Sequence, residues 1–217
     1  MVGNYERDAI RTEWEDALHD MNRTTMMRFC SMAGNCEFGI AQRKYGAEPL
    51  DLLRWSNTRV EQLMHMLEAR FEGIAGIEVE TLPHGEYRIR NAAFNITYHA
   101  FANTRTATVE EVRRREVNRL PFLARKLVED LEASERIFVV KLLGNRLPDL
   151  PRMRAAADLY GSPRFLLVTE GAEPSVAERD GFLWGTVPAF ARGAMPQTTD
   201  AATWLRLCEI VLAHHGV

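Results

Sequence analysis

The run Ile137 to Leu143 (IFVVKLL) constrains the fold more than any other segment. It is apolar apart from one lysine and shows no alternation. A strand with one face in water alternates apolar and polar side chains. An unbroken apolar run needs cover on both faces, as in a parallel sheet held between helical layers. Phe165 to Thr169 is a second run of this kind, and Gly181 to Val187 reads as a further strand. Thr25 to Met32 (TMMRFCSM) reads as an earlier buried strand, broken by Ala33-Gly34-Asn35.

Helical patterns alternate with these strands. Ile10, Trp14, Ala17, Leu18 and Met21 fall at helical spacing, which predicts an amphipathic N-terminal helix over residues 1–22 as a peripheral addition. A second helix is expected from Cys36 to Tyr45, stopped by Gly46. Thr58-x-x-Glu61 and Thr108-x-x-Glu111 have the spacing of capping boxes. They open helices that run through Phe71 and to about Ser134, with Pro121 predicting a kink or two helices in the second. Leu150 to Tyr160 and Asp200 to His214 complete the helical set. In the middle the period changes. Ile77 to Thr81, Glu86 to Arg90 and Phe94 to Phe101 read as strands joined by turns. The expected fold is α/β, a three-layer core with a mostly parallel sheet and an inserted antiparallel meander, in a single domain over 1–217.

Charge and cysteine content exclude several classes. A net charge of −3 and a pI near 6.1 give no pull toward nucleic acid or an anionic membrane. The Arg113-Arg114-Arg115 triplet is flanked by Glu110, Glu111 and Glu116 and reads as a solvated, self-paired helix face. No apolar run approaches the roughly 20 residues of a membrane span. The charged N-terminus lacks a signal-peptide h-region. Cys30, Cys36 and Cys208 are then expected as reduced thiols in a cytoplasm. No Cys/His spacing suggests a metal site. GxGxxG, GxxxxGK[ST] and GxSxG are all absent, so no cofactor is expected.

The chemistry concentrates at Ser31-Met-Ala-Gly-Asn-Cys-Glu-Phe-Gly39, where a buried strand turns into a helix. In open α/β sheets such turns lie at the carboxyl edge of the strands, where ligands bind. A thiol at a helix start is expected to have a lowered pKa, and the N–H groups of Asn35 to Glu37 could hold an oxyanion. Cys36 is therefore the candidate nucleophile. His99, in the aromatic segment Tyr98 to Phe101, is the candidate base. Asp51 and Asn145 are alternative third members. Asn35, Glu37, Arg54, Trp55, Lys141 and Asn145 are candidate substrate contacts, with Arg54 and Trp55 suited to clamp an anionic or planar group.

Ser31-Met-Ala-Gly-Asn-Cys36, Pro49-Leu-Asp51 with Trp55, Tyr98-His99, the charged helix Arg113 to Arg125 and the strand Ile137 to Leu143 together resemble a bacterial family of unknown function described as papain-like cysteine peptidases. The resemblance spans roughly residues 26–170. It implies Cys36 as nucleophile and His99 as base. The chain departs from the family where Ala100 follows His99 and where Leu-Asp-Leu-Leu-Arg-Trp occupies residues 50–55.

Three functions are expected from these readings. The first is a thiol-dependent hydrolase or acyl transferase acting on a peptide or small acyl compound. The second is a nucleotide-sugar or polysaccharide-related domain contacted by Arg54, Lys141 and Glu170. The third is a non-catalytic interaction module whose N-terminal helix packs on a partner or a second copy in a homodimer.

Overall fold

The computed structural model describes residues 16–144, 147–191 and 198–214. It is α/β, with a five-stranded, mostly parallel sheet and a separate four-stranded antiparallel sheet. A first helix, α1, occupies residues 16–27. The larger sheet is built from β1 (Phe29–Ala33), β6 (Ile137–Lys141), β7 (Arg164–Glu170), β9 (Phe182–Val187) and β8 (Ser175–Arg179), in that spatial order. β1, β6, β7 and β9 are mutually parallel, and β8 returns antiparallel at the edge.

Period-two side-chain geometry splits the central strands between two cores. Phe29, Ile137, Val139, Leu166 and Val168 face one side, where they meet α2 (Glu37–Lys44) and α6 (Ala201–His214). Cys30, Met32, Phe138, Val140, Phe165 and Leu167 face the other. There they meet α3 (Val60–Glu68), α4 (Val109–Ala133) and α5 (Leu150–Asp158). This two-sided cover is why Ile137 to Leu143 lacks alternation.

The second sheet is ordered β2-β5-β4-β3, from β2 (Ser56–Asn57), β5 (Ile96–Asn103), β4 (Glu86–Asn91) and β3 (Ile77–Thr81). Its inner face carries Tyr87, Ile89, Ile96, Tyr98, Ala100 and Ala102 into the same core as α4. One bridge joins the two sheets. Gly34 and Thr58 exchange both backbone hydrogen bonds, at 2.8 and 3.0 Å.

Several local expectations are corrected. Residues 25–27 belong to α1, so the strand begins only at Phe29. The part of the expected N-terminal helix before residue 16 lies outside the described residues. Thr58 does not cap α3, because its backbone is committed to Gly34 and its hydroxyl to Ser56, at 2.7 Å. Arg59 stands at that N-cap, its N–H donating to Gln62 Oε1 at 2.7 Å. Pro121 sits within one continuous helix, and the Thr108–Glu111 box at its start is present. β8 carried no signal strong enough to read.

Candidate functional site

Because β1, β6, β7 and β9 run parallel, their carboxyl ends share one edge. A cleft of about 710 Å³ opens there, between the ends of β1 and β6 and the start of α3. Gly34, Lys141, Leu142, Leu143 and Pro148 form one wall, while Asn57, Thr58, Arg59, Glu61, Gln62 and Asn95 form the other. Gly34 adopts φ +106°, and a Cβ there would lie 2.8 Å from Lys141 Cβ. Only glycine allows the β1 turn to cross Lys141 this closely.

The first turn of α3 faces this cleft. α4 is capped by Thr108 and α5 by Asp149, which accepts from Arg152 N at 3.0 Å. α3 has an arginine at the same position, and no side chain of the N-cap accepts from its first turn. The orphan N–H groups of a helix start carry partial positive charge. Arg59 itself is exposed, and among the described residues it forms no ion pair. The cleft therefore offers a free guanidinium beside a helix start where Gln62 takes the Arg59 N–H and no N-cap side chain accepts from the first turn. Glu61, Asn57 and Asn95 add hydroxyl-binding groups on the same wall.

Under the cleft floor lies a buried polar network. Lys141 donates to Glu37 Oε2 and, at 2.5 Å, to Asn35 Oδ1. Both charged side chains are only 2% exposed. Glu37 Oε1 also accepts from Trp204 Nε1 at 3.1 Å and from Ala191 N at 3.0 Å. The network ties the ends of β1 and β6 to α6 and to the chain after β9. Burial lowers the pKa of Lys141, and Glu37 opposes that shift.

Cys36 stands at the N-cap of α2, half-buried. Its pKa is raised by burial, against the lowering expected at a helix start, and its own backbone bond and the Lys141 ammonium only partly offset this. Burial also raises Cys30 and Cys208, which are fully packed.

The structure does not bring the remaining sequence candidates together around this thiol. His99 lies on the outer face of β5, where Nδ1 meets Glu86 Oε1 at 3.4 Å. Among the described residues no hydrogen bond links it to Cys36. Asp51 is spent elsewhere, accepting from Arg136 Nη1 at 2.7 Å and from Ser31 N at 3.2 Å along the β1 edge. Arg54 is 1% exposed, and its guanidinium donates to Gly39 O, Ala47 O and Glu48. That arginine locks α2 to the following loop and presents no face to a ligand. Trp55 is half-buried and held against Arg43 and Arg54. Asn145 lies outside the described residues. Glu170 ends β7 at the same edge and accepts from Phe190 N at 2.8 Å.

Sequence reasoning missed Arg59 and Glu86. Arg59 was hidden because Thr58 looked like the cap, and Glu86 because its partner His99 is thirteen residues away across a hairpin. No protein family, curated protein or solved structure matches the chain. Among the described residues, no helix is long and apolar enough to cross a membrane, and no group of three His, Cys, Asp or Glu is placed to hold a metal ion.

Proposed function

We propose that this chain binds a small phosphate-bearing molecule of the nucleotide-sugar type in the cleft at the carboxyl ends of β1 and β6. One observation carries the reading: the unpaired Arg59 guanidinium and the first turn of α3, from which no N-cap side chain accepts, converge on a cleft of about 710 Å³. Helix starts and guanidinium groups both favour phosphate, the first through aligned N–H groups and the second through paired donors. Lys141 lies beneath the cleft, its charge neutralised by the buried pair with Glu37. Glu61, Asn57 and Asn95 supply acceptors and donors suited to sugar hydroxyls. The volume falls within the range of small-molecule sites.

A thermal-shift screen with nucleotide-sugars, the parent nucleotides and the unphosphorylated nucleosides tests this. A ligand at one hundred times its dissociation constant stabilises the fold by about 2.7 kcal/mol, a rise of roughly 5–10 °C for a chain of this size. The phosphorylated compounds give that rise and the nucleosides do not. Arg59→Ala weakens binding about tenfold or more, as loss of a charge-assisted pair should. Equal shifts from nucleosides, or an unchanged response in Arg59→Ala, overturn the reading.

A second reading keeps Cys36 as a nucleophile in acyl transfer. Its support is the half-buried thiol at the start of α2 with the Lys141 ammonium favouring the thiolate. In this version Lys141 is the neighbouring cation, and His99 takes no part. Labelling by a thiol-directed acylating probe that survives in Cys36→Ser removes it.

A further inference from the structure

We propose that the outer face of β2 and β5 carries a separate saccharide-binding platform built on Phe101, Trp55 and His99. This proposal is independent of what fills the cleft.

The first observation is backbone strain under an exposed ring. Phe101 adopts φ +50° and is 59% exposed. Bulky L-residues rarely enter the left-handed region, and an aromatic side chain in water contributes little burial in return. Such strain at an exposed side chain points toward function. The register of β5 against β4 shifts at this place, between the pairs at Glu86 and Arg88, so the strand is irregular where it presents the ring.

The second observation is that the ring does not stand alone. Trp55 meets Phe101 edge-on, with centroids 5.4 Å apart and planes at 84°. His99 lies 6.1 Å from Phe101, tilted by 37°. The Trp55 carbonyl accepts from His99 N at 3.2 Å, so Trp55, in the turn that leads into β2, sits opposite His99 on β5. The Arg43 and Arg54 guanidinium groups pack over Trp55 at 4.3 and 4.7 Å, so Trp55 serves as a held support and the exposed Phe101 presents the ring. The result is an aromatic patch carried by β5 and by the turn that leads into β2.

The third observation concerns the rim. His99 is paired with Glu86, and Arg43 is paired with Glu48 at 2.6 Å. Each pair is half in water, and the Arg43 guanidinium and the Glu48 and Glu86 carboxylates place both signs of charge beside the rings. A polyanion would meet two carboxylates there, and a purely apolar partner would bury charged pairs at a cost. A neutral pyranose suits both parts. Its C–H face packs on the negative face of an aromatic ring, and its hydroxyls both donate and accept at fixed charged groups.

Titration calorimetry with neutral tetrasaccharides of glucose and of N-acetylglucosamine, in α and β linkages, tests the platform. At least one binds with a dissociation constant below about 1 mM. Phe101→Gly removes the ring and relieves the positive φ, so it keeps or raises the melting temperature while weakening binding about tenfold or more. His99→Gln weakens it less, and Arg59→Ala leaves it unchanged. If no tetrasaccharide binds, or if Phe101→Gly binds as tightly as the parent chain, the platform is refuted. Failure of the cleft reading shows instead in the nucleotide-sugar screen, which Phe101→Gly does not affect.

Discussion

Replacing Lys141 with methionine isolates the charge at the centre of the carboxyl-edge network. Methionine preserves most of the buried stem, so packing changes little. Glu37 would keep the Trp204 and Ala191 donors on Oε1 and lose the donor on Oε2. Its charge would then be buried without a counter-ion. Breaking a buried pair from one side costs about 3–5 kcal/mol. For a chain of this length each kcal/mol moves the melting temperature by roughly 2–4 °C, so the expected drop is about 6–20 °C. Glu37→Gln strands the lysine instead and costs about 2–4 kcal/mol, because Asn35 Oδ1 still accepts from it. The double variant removes both charges, and its glutamine carbonyl can still accept from Trp204. It is expected to cost less than Lys141→Met alone, with a coupling of about 2 kcal/mol or more. Urea denaturation of the four proteins at pH 7 measures the cycle. A Lys141→Met cost below about 1 kcal/mol, or additive single costs, would refute the reasoning that this pair holds the edge together.

Three further outcomes follow from the packing of Gly39 and of the three cysteines. Gly39→Ala should destabilise the protein by about 1–2 kcal/mol in calorimetry, although alanine ordinarily gains about 1 kcal/mol over glycine inside a helix. The reason is that the new Cβ would lie 2.7 Å from Arg54 Cγ and 3.0 Å from the Arg54 carbonyl. A rise in stability would contradict the Arg54 lock. Mass-spectrometric alkylation at pH 8 should modify Cys36 more slowly than free cysteine and leave Cys30 and Cys208 untouched. A raised folded pKa also stabilises the fold fully below the unfolded thiol value of about 8.5, and that stability is lost as pH climbs through the folded value. Urea midpoints should accordingly fall between pH 8 and the alkaline limit; a flat profile would argue against thiol burial.

The sequence carried the layer architecture because burial on two faces leaves a mark that no surface element imitates. Ile137 to Leu143 and Phe165 to Thr169 lie in β6 and β7, and the meander appears where the period changes. Thr25 to Met32 was harder, since an apolar run at a helix–strand junction has the same composition in either conformation, and residues 25–27 went to the helix. The turn at Gly34 to Glu37 was also placed at the sheet edge from pattern alone. The surroundings of each side chain there were not visible. Whether Cys36 gains or loses acidity depends on the balance of burial against Lys141, which arrives from 105 residues away. Asp51 read as a catalytic orienter because carboxylates near a cysteine turn invite that role. Its actual partners, Arg136 and the Ser31 N–H, are set by the β1 edge. Thr58 misled most productively. A good cap residue was diverted into the bridge that joins the two sheets, and the helix start it vacated is the feature on which the binding proposal stands.

Amide chemical-shift mapping with a titrated nucleotide-sugar tests the cleft most directly, because it reports position as well as affinity. Saturable shifts confined to Gly34, Asn57 to Gln62 and Leu142 to Leu143 are the predicted result. Shifts centred elsewhere, or none up to about 10 mM ligand, would contradict the account.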